Sequence, residues 1–223
     1  MCIRDRIKIT APDIASFQQA FDEHKTAFLK AFNELEIKRT NQQFKMAKSV
    51  KLNNIIKSKF GFNIQLPGGF VVASEDDSFI WLRQSMHKVK QDVELGILIY
   101  EEPYTDTSLF NPQYILDKRD SYTKVHIEGP SVGSYMITST GFIEPVFKSM
   151  DDFISSYAVE TRGLWMVEND FMGGPFISFS FLDPEMERVI TLDGYVYNPS
   201  DLKRNFIRQM EAIFYTVDFS SEE

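Results

Sequence analysis

Ile14, Phe17, Phe21, Phe28, Phe32 and Leu35 recur at steps of three, four and seven. That spacing predicts one apolar stripe on a helix over residues 12–36. Thr10-Ala11-Pro12-Asp13 supplies a hydroxyl, a proline and an acid in the order of a capping box. Ahead of it, Ile7-Lys8-Ile9 reads as the end of a strand. After a short polar link, Ser49 is placed to cap a second helix carrying Leu52, Ile55 and Ile56. Gly61 is placed to stop it.

From Phe60 the period changes to two. Phe62, Ile64 and Leu66 alternate, and Pro67-Gly68-Gly69 turns the chain. Strands are predicted at Phe70–Ala73 and Phe79–Leu82 around the acidic tip Glu75-Asp76-Asp77, and again at Leu95–Tyr100. Asn111-Pro112 opens a helix with Ile115, Tyr122 and Val125 as its core side. Tyr135–Thr138 is a short strand. Tyr157–Val167, Phe176–Phe181 and Val189–Tyr197 form an antiparallel meander, with turns at Glu168-Asn169-Asp170 and Asp183-Pro184-Glu185. A last helix starts at Asn198-Pro199-Ser200-Asp201 and buries Phe206, Met210, Ile213, Phe214 and Val217.

Helices, strands, helix, strands and helix in that order predict an α+β fold, a mostly antiparallel sheet flanked by helices. A boundary is expected near Phe60-Gly61. Residues 7–60 read as the C-terminal remnant of a truncated N-terminal α/β domain, and 61–223 as a C-terminal α+β domain. Residues 1–6, Met-Cys-Ile-Arg-Asp-Arg, resemble a translated sequencing adapter, which would make Cys2 non-native.

Net charge is -8, which argues against nucleic acid as a partner. The charge is unevenly spread: residues 37–74 carry seven Lys or Arg and no acid, whereas residues from Glu75 onward carry a net -14. The basic segment, with Lys45, Lys48 and Lys51 at its centre, is a candidate contact for a partner or an anionic lipid surface. Because the remainder carries the net -14, pairing of the basic segment with it is slightly favoured. No stretch reaches the roughly 18 apolar residues of a membrane span. The single cysteine excludes an internal disulfide.

Glu160 and Arg162 stand two apart on a strand and so share a face. They read as a structural ion pair or as a carboxylate and guanidinium aimed at a polar ligand. Asp170, Gly173 and Gly174 lie in the densest loop, where adjacent glycines can bring backbone N–H groups to a ligand. Trp165 is grouped with them as a ligand platform, although Trp81 and Trp165 also fit core positions. His24, His87 and His126 have no ligand spacing, His24 fitting a packed core histidine. No metal or cofactor is expected, and no nucleophile elbow is present.

The stretch Arg162-Gly163-Leu164-Trp165 with Phe171-Met172-Gly173-Gly174-Pro175-Phe176 resembles the signature of the domain-of-unknown-function family DUF4837. Lys118-Arg119-Asp120-Ser121, Gly129-Pro130-Ser131 through Met136, Gly194-Tyr195-Val196-Tyr197, and Lys203-Arg204-Asn205 followed by Arg208-Gln209-Met210-Glu211-Ala212-Ile213 fit it too. That resemblance implies a lipoprotein of the Gram-negative cell envelope, periplasmic and lipid-anchored through a preceding segment. It assigns no catalytic residue. The element order from Phe62 also loosely resembles a Mog1/PsbP-type sandwich, which warrants no function. The expected function is binding or scaffolding of another envelope component without catalysis. The alternatives are a periplasmic protein binding a small molecule or glycan, and a hydrolase built on Glu160, Asp170 and Tyr195.

Overall fold

The computed structural model describes residues 6–46, 48–87, 92–150, 153–154, 156–183, 185–199 and 201–220. It is α+β: a mostly antiparallel sheet with helices on both faces. The helices are α1 (Ile14–Met46), α2 (Val50–Phe60), α3 (Pro112–His126) and α4 (Arg204–Phe214). The strands are β1 (Val71–Asp76), β2 (Phe79–His87), β3 (Asp92–Pro103), β4 (Tyr135–Ser139), β5 (Val146–Met150), β6 (Ala158–Glu168), β7 (Gly173–Asp183) and β8 (Arg188–Tyr197). Their order is β1-β2-β3-β8-β7-β6-β4, with β5 also pairing along β6.

Alternation along the central strands divides the sheet into two apolar faces. One gathers Ile97, Ile177, Phe179, Phe181, Ile190, Leu192 and Val196 under α2 and α4. The extended segment Phe62, Ile64 and Leu66 lies in the same core. The opposite face gathers Leu98, Tyr100, Trp165, Phe176 and Tyr195 under Leu116 of α3. On that second face, burial of Arg119 is compensated by Asp193 of β8, whose Oδ2 accepts from Nε at 2.8 Å. The Arg119 guanidinium also donates to Thr138 Oγ1 and lies 4.0 Å over the Phe176 ring.

Local chemistry sets several ends as expected. Ser49 Oγ accepts from Leu52 N–H at the start of α2, and Gly61 closes that helix at φ 75°, where a Cβ would be strained. Asn111 caps α3 through Gln113 N–H. The core is continuous across Phe60 and Gly61, where the sequence suggests a boundary: Leu52, Ile56 and Phe60 of α2 pack with the sheet.

Other expectations are corrected. Residues 7–9 take no regular structure, so the predicted strand end is absent. The cap of α1 is Asp13, whose Oδ1 accepts from Ser16 N–H at 2.8 Å, in place of Thr10. There is no polar link after Leu35: α1 runs on to Met46, held by Phe44 in the core and Ile37 packed against it. The α1 stripe is exposed, Ile14 to 85%, and His24 is exposed with it. Val125 is likewise exposed, while Leu116 and Arg119 hold the core side of α3. Strand β5 is additional. The last helix begins at Arg204 without a side-chain cap; Ser200 of the expected cap, Pro184 of the expected turn, the His87 side chain and residues 1–5 lie outside the described residues.

Candidate functional site

A groove of about 1180 Å³ opens between α1, α4 and the β5–β6 edge of the sheet. Its floor is Met150, Phe153, Glu160, Arg162 and Tyr215; Thr26, Leu29 and Ile37 of α1 form one wall. α1 crosses α4 because Phe44 is buried in the sheet's core and Ile37 packs against it.

An unbroken chain of charge runs from floor to wall. Arg162 Nε donates to Glu160 Oε1, and Arg162 Nη2 lies 2.9 Å from Glu211 Oε1 on α4. Arg208 Nη1 bonds the other oxygen, Glu211 Oε2, at 2.6 Å. Arg208 and Arg204 then reach Glu36 of α1 at 3.1 and 3.2 Å, and Arg208 also donates to Asn33 Oδ1 at 3.2 Å. Burial works against the Arg162 charge, but Glu160 and Glu211 outweigh it and hold its pKa above the ordinary arginine value. Burial first, then Glu160 and Glu211, push the Tyr215 phenol up to about 12, so it stays a neutral donor.

The rim differs. Lys38 and Lys45 of α1 and Lys148 of β5 are exposed along the groove and form no ion pair among the described residues. Among the described residues no three His, Cys, Asp or Glu side chains converge as metal ligands would.

The structure brings only part of the predicted site together. Glu160 and Arg162 share the groove floor, and Lys45 joins its rim. Trp165, odd-numbered on the same strand, faces the other way into the α3 side, where its Nε1–H donates to Val196 O at 3.3 Å. Gly173 and Gly174 are β7 residues paired with Met166 and Trp165, not a loop. A Cβ on Gly174 would stand 2.1 Å from Val196 O, so the residue serves strand packing. Asp170 sits at the hairpin tip. It accepts from Ser131 Oγ–H and Phe171 N–H, which lower its pKa in that order. Lys48 pairs its backbone with Pro67, and Lys51 lines a shallow depression beside Ile55 and Glu75. Glu160, Asp170 and Tyr195 do not meet: Tyr195 is buried on the α3 face, donating to Glu94 Oε1 at 3.0 Å.

Glu211, Arg208 and Glu36 were not found by sequence reasoning. Arg208 and Glu211 lie in the block that fits the family signature, which gives them no role; the further signal is that Glu211 stands inside the apolar stripe of α4, between Met210 and Ile213.

The profile of a family described as a domain of unknown function, DUF4837, matches residues 49–216. No curated protein matches the chain. Among solved structures, a mutant of the protein Mog1 is similar at 9% identity and a TM-score of 0.40, over 69% of this chain and 84% of that one. The Saccharomyces cerevisiae Ran-binding protein Mog1p is similar at 8% identity and a TM-score of 0.41, over the same shares. Neither likeness bears on function.

Proposed function

The chain belongs to the family DUF4837, a domain of unknown function, and from that premise we propose that it is a non-enzymatic binding module of the cell envelope whose groove holds an acidic segment of another envelope component. The observation that carries this reading is the division of charge in the groove. The carboxylates and guanidiniums of the floor are spent on one another, while Lys38, Lys45 and Lys148 on the rim form no ion pair among the described residues; of the other carboxylates lining the groove, Glu34 pairs with Lys30 and Asp218 accepts from Ser220. A general acid needs a carboxylate free to change protonation, and Glu160 and Glu211 are each held by a guanidinium. Three lysines around a groove that form no ion pair among the described residues, on a chain of net charge -8, favour an acidic occupant and steer it there.

Size separates this reading from a small-ligand protein. Small-molecule sites span roughly 300–1,000 Å³ and enclose most of the ligand. This groove is larger, at about 1180 Å³, and open along α1. An extended segment fits that shape better than an enclosed small molecule. The lipid anchor implied by the family resemblance would hold the module at the membrane.

A labelled oligoglutamate peptide tests the rim directly. Binding should weaken with salt and fall by about tenfold or more in the triple variant Lys38→Ala/Lys45→Ala/Lys148→Ala, a loss of about 1.4 kcal/mol or more. Equal binding by the triple variant would sink the assignment. A photo-crosslinking residue at Thr26, in the anchored full-length protein, should then capture an envelope component that the same residue at Val132 does not.

A further inference from the structure

The α1 stripe and the part of α1 that meets the domain lie on different sides of the helix. At about 100° per residue, Ile14, Phe17, Phe21, Phe28, Phe32 and Leu35 fall within about 60° of arc. Asn33, Glu36, Ile37 and Phe44, which touch α4 or the core, are centred about 130° away. The stripe therefore points away from its own domain and cannot fold back onto it. Residues 14–32 contain no buried side chain, and among the described residues the ring pairs of Phe17, Phe21 and Phe28 are with one another and with His24 along the helix. A lone helix is marginal in water, and a continuous apolar stripe calls for a cover.

We propose that the cover is the same stripe of a second copy, packed antiparallel about a two-fold axis between His24 and Lys25. The spacing reads alike from both ends. Ile14 and Leu35, Phe17 and Phe32, and Phe21 and Phe28 are each equidistant from that midpoint. A two-fold there sets every stripe residue against a stripe residue, as an isologous interface requires. The steps Ile14, Phe17, Phe21, His24, Phe28, Ala31, Leu35 also keep the three-four alternation of a coiled-coil seam.

Charge selects the direction. Residues 13–24 carry Asp13, Asp22 and Glu23 and no Lys or Arg. Residues 25–46 carry Lys25, Lys30, Lys38, Arg39 and Lys45 against Glu34 and Glu36. Antiparallel pairing about that axis sets residues 13–24 of one helix, with three acids and no base, against residues 25–36 of the other, where Lys25 and Lys30 balance Glu34 and Glu36, whereas parallel pairing sets the three acids against their own copies. Asp22 and Glu23 at the centre oppose insertion of the stripe into an anionic bilayer. The groove occupies another side of α1, so pairing leaves it open.

Sedimentation velocity and oxidative crosslinking test this in a Cys2→Ser background. The chain should sediment as a dimer, and Phe21→Glu/Phe28→Glu should convert it to a monomer with the urea midpoint of its sheet unchanged, because both side chains lie outside the protomer's core, and with helical signal lost only over the uncovered residues 14–32. His24→Cys should form a disulfide across the axis. Phe17→Cys alone should not, but mixed with Phe32→Cys it should give a crosslinked heterodimer. A monomer at all concentrations, or Phe17→Cys linking to itself as in a parallel pair, overturns the proposal.

Discussion

Arg119 of α3 and Asp193 of β8, 74 residues apart, form an ion pair from which water is excluded, at 1% and 0% side-chain exposure and 2.8 Å. The pair fixes α3 to the centre of the sheet. Thr138 ties it to β4 by accepting from Arg119 and donating to Asp120 Oδ1 at 2.6 Å. Removing one partner leaves the other as a buried, uncompensated charge. Arg119→Met or Asp193→Ala should therefore cost about 3–5 kcal/mol in urea unfolding, and the double variant Arg119→Met/Asp193→Leu much less than the sum. Additive losses would mean that the two residues act separately.

The same carboxyl gives a pH signature. Burial raises the pKa of Asp193 above its usual 3.8, with Arg119 opposing. Asp106 and Asp218 are lowered, each chiefly by the hydroxyl of a serine two residues on and then by that serine's N–H. The stabilisation from Asp106 and Asp218 is present above 3.8 and is lost as pH falls through their folded values. Asp193 acts in the opposite sense, its contribution being full below 3.8 and lost as pH rises through its folded value. Carboxyl-carbon NMR should show Asp193 titrating above 3.8, and Asp106 and Asp218 below it. Titration of Asp193 below 3.8 would show that Arg119 outweighs burial.

The ion chain in the groove should control α1 more than global stability. Arg208→Ala removes its links to Glu36, Asn33 and Glu211. Glu36 and Arg204 are partly exposed, and such pairs are worth at most about 1 kcal/mol each. Amide exchange over residues 33–46 should rise while the sheet's protection is unchanged. A uniform rise would place Arg208 in the core's cooperative unit instead.

How far these features were legible depends on whether their chemistry is local. The meander Tyr157–Tyr197 and the caps Ser49 and Asn111 follow from alternation and from side chains one turn away. β5 carries its pattern weakly, since Met150 is its one buried residue, so the edge strand was invisible. Arg119 sits in a polar run, and nothing within reach in sequence announces Asp193 as its partner. The groove draws on residues from Thr26 to Asp218. Its Glu160–Arg162 step is local to one strand and was readable; the links through Glu211, Arg208 and Glu36 depend on where α1 crosses α4. Trp165 was misplaced for the opposite reason: closeness in sequence suggested a shared site, but odd and even strand residues face opposite layers.

Gly174 is a point where backbone proximity should dominate. A Cβ there would overlap Val196 O and crowd the Trp165 indole, which donates to that same oxygen. Gly174→Ala should destabilise by about 1–3 kcal/mol, the usual range for overpacking. Trp165 fluorescence should shift to the red as β7 and β8 part. An unshifted spectrum with wild-type stability would contradict the close approach.

Two hydroxyls behind α3 invert the usual expectation for core substitutions. Thr161 of β6 and Ser178 of β7 are register partners, both buried, yet neither Oγ has a hydrogen-bond partner among the described residues. Their neighbours Ser180 and Thr191 do pair, oxygen to oxygen at 2.9 Å. An orphaned buried hydroxyl carries a desolvation cost of about 1–3 kcal/mol, and replacing both members by apolar groups of similar shape removes it. Thr161→Val/Ser178→Ala should therefore match or exceed the wild type in urea midpoint. Thr191→Val should lower the midpoint, because it leaves Ser180 alone. If the first pair of substitutions is as damaging as the second, a bound water satisfies Thr161 and Ser178 and that spot is a hydrated polar site in the sheet.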